Sequence, residues 1–517
     1  MRRLACCTLL ALYSTSTAAA VFLVDTTSDD GSAPFQLCDG DAGNGNCSLR
    51  GAILKANGIS GSDIVTFAIP ASDPGYVAAS AHWRIAPASS LPLISDDLVI
   101  DGYSQPGALP NTLAAEAGGS NAQLKIELHG FGNTSQAGLD VGNGNPRLSL
   151  SGLAINNFRI NLQLLSPGPH RVEGCFIGTD ISGQQGISAN ANANGIRLRG
   201  AAVIGGLTPA ARNVIAGNGY IGIWDESATT TTQPSTYQGN LFGLAADGVS
   251  VLAGQDYGLY LSGAAEGALI GGASAGARNL FAGHEVSAIY LTGSAAAANA
   301  PTLRIQGNYF GTDWSGTLAR PNGGLSLAQP QPTILLFRSG RCVTQIGGDG
   351  AGEGNLIAYG MAAGVQVSTC TGALVRGNAF RANRIAVDLA PGSNADGATA
   401  NDTGDADSGG NRLQNHPVIE SLAASGGGML QLTYRVDTDV ANAAYPLRID
   451  LARGRGGQAE APVLSDSYVA AQAGLSRSVS FPAAALQGQP LVLSATDADG
   501  NSSEFHSDWL FADGFGG

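Results

Sequence analysis

Gly195-Ile-Arg-Leu-Arg-Gly200, followed by Val203-Ile-Gly-Gly206 and Arg212-Asn-Val-Ile-Ala-Gly-Asn218, is the stretch that decides the fold. It returns as Gly258-Leu-Tyr-Leu-Ser-Gly263 with Leu269-Ile-Gly-Gly272 and Arg278-Asn-Leu-Phe-Ala-Gly283, then more loosely through Ile346-Gly-Gly348 and Asn355-Leu-Ile357. A second segment alternates with it: Gly174-Cys-Phe-Ile-Gly-Thr-Asp180, Gly239-Asn-Leu-Phe-Gly243, Gly307-Asn-Tyr-Phe-Gly-Thr-Asp313 and Gly377-Asn-Ala-Phe380. The leading glycines of these copies lie 65, 68 and 70 residues apart. Within each copy, apolar alternation lasts three to five residues before Gly or Asn interrupts it. That is too short for a helix and suits three short strands and three turns per coil. The pattern predicts an all-β, right-handed parallel β-helix, a solenoid whose unit is a pair of coils.

Stacked at the parallel-strand spacing of ~4.8 Å, about ten coils between Asp97 and His416 make a rod of roughly 50 Å. Ile196, Leu198, Leu259 and Leu261 point inward as apolar columns. Asn213, Asn279 and Asn355 recur at one turn, where an amide tolerates left-handed backbone and bonds the coils above and below.

Both ends of such a stack need covering, because exposed strand edges recruit other chains. Leu49, Ala52, Ile53 and Ala56 fall at helical spacing after an N-capping Ser48 and predict a short amphipathic lid. Leu430-Gln-Leu-Thr-Tyr434 and Leu447-Arg-Ile-Asp-Leu451 predict a β-sandwich-like domain behind the stack. The expected layout is an export signal at 1–20, an N-terminal cap at 21–95, repeats at 96–415, the sandwich at 416–507 and a tail at 508–517.

The signal rests on Arg2 and Arg3, an apolar run from Leu4 to Tyr13 and small residues at Ala18-Ala19-Ala20. No later apolar run is long enough for a membrane-spanning helix, so the chain is expected to be exported and not membrane-spanning. Formal net charge is −14 and Lys55 and Lys125 are the only lysines, so a nucleic-acid backbone finds no basic stripe. The six histidines are scattered and the cysteines form no CxxC pair, which argues against zinc. Export favours disulfides. Cys38 and Cys47 bracket a Gly/Asn/Asp loop and are expected to pair. Cys342 and Cys370 stand four residues before Ile346 and Leu374, read as equivalent positions in neighbouring repeats, and are expected to form a rung. Cys175 is left over and expected to be buried.

Cys47-Ser-Leu-Arg-Gly-Ala-Ile-Leu-Lys-Ala-Asn57 resembles the signature of CSLREA-domain proteins, exported bacterial proteins in which this segment precedes a β-helix. Phe-Ile-Gly-Thr-Asp180, Ile-Gly-Gly206 and Arg-Asn-Val-Ile215 are similar to repeats of bacterial parallel β-helix proteins. The resemblance spans residues 21–415 and implies a fold and a secreted or cell-surface location, without a catalytic role. Gly51 stands where that signature has Glu, a residue that would complete an S-x-x-E capping box with Ser48. Asp508-Trp-Leu-Phe-Ala-Asp-Gly-Phe515 looks like a short terminal motif of some exported bacterial proteins.

Chemistry is sparse. Asp180 and Asp313 recur at one turn, but Ala245 replaces them in the intervening copy, which points to local turn bonding. No catalytic constellation is evident, and the expected role is structural or adhesive. The alternatives are an extracellular carbohydrate-binding protein and a polysaccharide lyase or hydrolase. Alternation along the Gly-Ile-x-Leu strand places Arg197, Trp224, Tyr260, Tyr290, Leu336 and Gln366 on one outer face. An aromatic strip on a polar rod suits the flat faces of an extracellular polysaccharide, although neighbouring aromatics also stabilise sheets by stacking on one another. Asp402, Asp405, Asp407 and Asn411 crowd a Gly-rich connection and form a candidate Ca²⁺ site, without the twelfth-position Glu of an EF-hand.

Overall fold

Residues 334–347 and 363–376 each run as one strand round a corner and join two faces of a stack into a single sheet. That sheet holds eighteen strands and a second holds eleven. Apart from Tyr76–Val77 against His82–Ile85, every strand pairing in both is parallel. The arrangement is compatible with the parallel β-solenoid expected from the repeats. The computed structural model describes residues 19–506, leaving out 42, 132–136, 228–232, 264, 298–299, 325–328 and 393–395. Nearly all of the expected export signal and the tail motif at 508–517 lie outside the described residues. The parallel stack begins at Val21–Val24, which pairs with Asp63–Phe67, so segment 21–95 already contributes strands to it.

Leu139, Leu162, Ile196, Ile223, Leu259, Ile289, Ile334, Val365 and Val387 are register partners in consecutive coils, and all are buried. Each contributes roughly 2 kcal/mol of apolar burial. The final Phe of the repeats forms a second column, with Phe242 stacked on Phe281 at 4.4 Å and Phe281 on Phe310 at 4.9 Å. The leading glycines Gly174, Gly239, Gly307 and Gly377 all have φ between +59° and +70°, a backbone that L side chains rarely adopt, so the spacing of this residue in the sequence marks a recurring corner.

The repeated asparagines form an internal amide ladder. Along Asn213, Asn240, Asn279, Asn308, Asn355 and Asn378, five bonds run from the Nδ2 of one residue to the Oδ1 of the next, at 2.8–3.0 Å. Each also donates to a backbone carbonyl of an earlier coil. The ladder therefore uses both repeat segments, and Cys175 holds the place of the asparagine at its head, its amide donating to Asn213 Oδ1 at 2.8 Å. Cys175 is buried and, among the described residues, unpaired. A second ladder runs Asn161, Asn218, Gln255, His284 and Asn322. Burial pushes the His284 pKa down to about 4, so the ring is neutral. It links Gln255 to Asn322 as donor on Nδ1 and acceptor on Nε2.

The helix Leu49–Ala56 forms as its spacing predicts, with Ser48 Oγ accepting from the Gly51 amide at 2.9 Å and Leu49, Ala52, Ile53 and Ala56 buried. The glycine at position 51 has a packing cause. A Cβ at position 51 would lie 2.0 Å from the Phe35 carbonyl oxygen, which also accepts from the Ser48 amide. Gly51→Glu would complete the capping box for a gain of ~1 kcal/mol but force apart a closed contact at a cost of ~2–3 kcal/mol. A lower melting temperature in a thermal scan is expected; an unchanged or higher one would refute the packing account.

Cys38 and Cys47 are disulfide-bonded with Cα atoms 4.6 Å apart, and Cys342 and Cys370 with Cα atoms 5.6 Å apart. The register behind the second pair differs from the sequence reading: Ile346 pairs with Val375, and Leu374 with Gln345. Register shifts at Phe337/Gly340 and Arg341/Thr344, with left-handed Val343 and Thr369, carry the corner between faces, and each slips the count by one.

Behind the stack, residues 418–496 form two three-stranded antiparallel sheets that share one apolar core around Leu432, Tyr434, Leu451 and Leu493. They meet the last coils through buried polar contacts. Asn383 exchanges bonds with the Gln458 amide, and Glu504 accepts from the amides of Leu389 and Thr399 at 2.8 and 2.9 Å. No helix among the described residues is long and apolar enough to cross a membrane.

Candidate functional site

Asp140, Gln163, Arg197, Trp224, Tyr260, Tyr290, Leu335, Gln366 and Asp388 are successive register partners on one outer face. The structure thus brings Arg197, Trp224, Tyr260 and Tyr290 together as expected and corrects one position. Leu335 faces outward, whereas Leu336 is buried in the core. The run Ile334-Leu-Leu-Phe337 is apolar at every place, so alternation could not set its phase.

Each aromatic residue of this line is half-buried, none covered and none free-standing. The Arg197 guanidinium lies 5.0 Å over the Trp224 ring and its Nε pairs with Glu226 at 2.7 Å. Trp224 Nε1 donates to Ser262 Oγ at 2.8 Å. Tyr260 meets Trp224 edge-on at 6.4 Å and Tyr290 at 5.0 Å. Sequence alternation missed the second row: Tyr257 stacks on Tyr290 at 5.6 Å and touches Tyr260 at 5.1 Å, Tyr220 abuts Tyr257, and Phe337 abuts Tyr290. The Tyr-x-x-Tyr spacing of 257 and 260 was its only trace. Burial first, then the neighbouring tyrosines, raises the pKa of the Tyr257, Tyr260 and Tyr290 phenols, which stay neutral donors near pH 7.

The line ends in a cleft of about 410 Å³ between the last strand, Ile385–Ala390, and the C-terminal segment. Arg384, Asp388, Asp396, Glu504 and Phe505 line it among small Ala and Gly residues. Asp388 is 0 % exposed, and among the described residues neither carboxyl oxygen has a hydrogen-bond partner. Burial, then the Asp396 charge, pushes its pKa up to about 7, with the nearby Gly397 amide offsetting a little. Burial likewise pushes Glu504 up to about 7 against its two amide bonds.

Asp402, Asp405 and Asp407 converge, each offering an oxygen within 4.8 Å of the others. Asp405 is buried, which pushes its pKa up to about 7. Bonds from Thr438 and the Asn415 amide oppose the shift, and the Asp407 and Asp402 charges reinforce it. Asn411 does not join them. Its Nδ2 donates to the carbonyls of Ala373 and Ser502 and its Oδ1 accepts from the Ala373 amide, so the side chain continues the ladder chemistry at the end of the stack. Asn415, bonded to the Asp402 and Asp437 carbonyls, occupies the acidic turn instead.

Asp180 and Asp313 close their own turns, accepting from the amides at 184–185 and 317–318. Asp247 does the same in the copy where Ala245 replaces them. No family model, no curated protein and no solved structure matches the chain.

Proposed function

We propose that this chain is a secreted or cell-surface right-handed β-helix with an adhesive role, and that its adhesive face binds extracellular polysaccharide. The helix Leu49–Ala56 lids one end in this reading, and the two antiparallel sheets form a sandwich over the other. The resemblance to CSLREA-domain proteins supports the location, as do two disulfides, which fit an oxidising compartment. One observation carries the ligand class. Trp224, Tyr260 and Tyr290 lie in register on strands stacked ~4.8 Å apart, each residue partly open to solvent. Mutual stacking alone would be served equally by covered rings. Flat apolar rings flanked by phenol hydroxyls and Arg197 match the two kinds of surface that a sugar presents.

Trp224→Ala is expected to weaken binding to a retained polysaccharide by about tenfold, the loss typical of an aromatic anchor. Affinity electrophoresis against a panel of neutral and acidic polysaccharides measures it. Equal mobility of variant and wild type across the panel would leave a rod without a sugar face.

The alternative of polysaccharide cleavage has its own supporting observation, the carboxyl-lined cleft with Arg384 at the end of the same line. Carboxyls with raised pKa in a cleft suit acid–base work.

A further inference from the structure

Near the other end of the stack, Ser80 sits in the exposed turn that leads into the strand His82–Ile85. Its hydroxyl lies 2.7 Å from His82 Nδ1, and His82 Nε2 lies 3.0 Å from Glu127 Oε2. Register fixes this chain of contacts. Arg84 pairs with Glu127 of the neighbouring parallel strand, and His82, two residues before Arg84, shares its side of the sheet. Arg84 Nε donates to Glu127 Oε2 at 2.7 Å and Asn156 Nδ2 to Oε1 at 2.9 Å, so both oxygens are held.

Those contacts assign the protons. Glu127 is 1 % exposed. Burial alone would raise its pKa, but the close His129 imidazole and hydrogen bonds from His82, Asn156 and Arg84 outweigh that and hold it well below the usual carboxylate range. An ionised carboxylate only accepts, so His82 carries a proton on Nε2, and in the neutral ring of that tautomer the Nδ1 lone pair faces the Ser80 hydroxyl. A hydroxyl donating to an imidazole that a buried carboxylate orients is the arrangement of an activated nucleophile, whichever ring nitrogen faces which partner.

We propose that Ser80, His82 and Glu127 form an acyl-transfer site that hydrolyses short-chain carboxylic esters. Ser80 Oγ attacks the ester carbonyl carbon as His82 Nδ1 takes the hydroxyl proton, forming a C–O bond and a tetrahedral oxyanion. The bond to the alcohol oxygen then breaks, and His82 returns the proton to that oxygen. Water attacks the acyl-serine with His82 again as base, releasing the acid and restoring Ser80. The Arg84 guanidinium, 42 % exposed, has no other hydrogen bond among the described residues and supplies the positive charge beside the oxyanion. Ser80 stands on an open turn, which suits a small acyl group on an exposed carrier. This site is independent of the sugar-binding reading.

The test uses the full chain, a fluorophosphonate probe and 4-nitrophenyl acetate at pH 8, with the adduct mapped by mass spectrometry. The expected result is phosphonylation of Ser80, abolished by Ser80→Ala and slowed at least about 100-fold by His82→Gln. Ser80→Ala alters one exposed side chain and is checked for folding by its melting curve, so the test survives a His82 variant that fails to fold. An unlabelled Ser80, labelling at the wild-type rate in a folded His82→Gln, or ester hydrolysis that persists in Ser80→Ala would each overturn the site.

Discussion

Asn279→Ala is expected to lower stability by about 4 kcal/mol, among the largest effects of any single substitution in this chain. Asn279 is wholly buried at the middle of the amide ladder. Its Nδ2 donates to the Tyr237 carbonyl at 2.7 Å and to Asn308 Oδ1 at 2.9 Å, while its Oδ1 accepts from both the backbone and side-chain nitrogens of Asn240 at 3.0 Å. Alanine removes one partner from each of four groups in an interior without water. Leaving a buried polar group unsatisfied costs ~1–3 kcal/mol, and neighbouring Asn308 Oδ1 keeps the backbone bond from residue 279, so roughly two to three full penalties remain. Chemical denaturation measures the change. A loss under ~1 kcal/mol would mean that the ladder is not what ties coil to coil.

Asp388→Asn is expected to stabilise the protein at pH 8 by up to ~4 kcal/mol and at pH 5 by only ~1.5 kcal/mol. The sign follows from linkage. The carboxyl titrates near 4 in the unfolded chain and at about 7 in the folded one. Between those values the folded protein holds a proton that the unfolded chain has released, so stability falls as pH rises through that window and stays low above it. Asparagine removes the charge that has no partner at pH 8 and replaces a neutral acid at pH 5. Denaturant midpoints at the two pH values decide it, and an equal shift at both would show that Asp388 is not buried as a charge. Reducing-end release from the polysaccharide panel, measured on the same variant, reads separately on the cleavage alternative.

Legibility varied with how strictly the chain repeats. The Asn213 ladder was half visible because one residue type returns at one spacing; Asn240, Asn308 and Asn378 belong to the alternate segment and completed it only when the coils were stacked. The His284 ladder was invisible because Asn, Gln and His fill equivalent places, interchangeable as hydrogen-bonding groups but dissimilar as letters. Leu336 was misplaced and Leu335 missed because an unbroken apolar run carries no phase. Asn411 looked like part of the acidic cluster by proximity in sequence, yet backbone at φ +47° turns it to the last coil.

The sequence by itself determined a stack of short strands with glycine corners, an asparagine spine, one N-terminal helix, two cystine pairs and an outward line of Arg197, Trp224, Tyr260 and Tyr290. These are local or strictly periodic properties, which side-chain alternation and turn chemistry dictate over a few residues. Only the tertiary structure brought the Ser80–His82 turn to Glu127, 45 residues beyond His82, or set Asp388 beside Glu504, 116 residues further on. Contacts of that kind depend on how many residues fill the loops between coils, and loop length is what the repeats leave free.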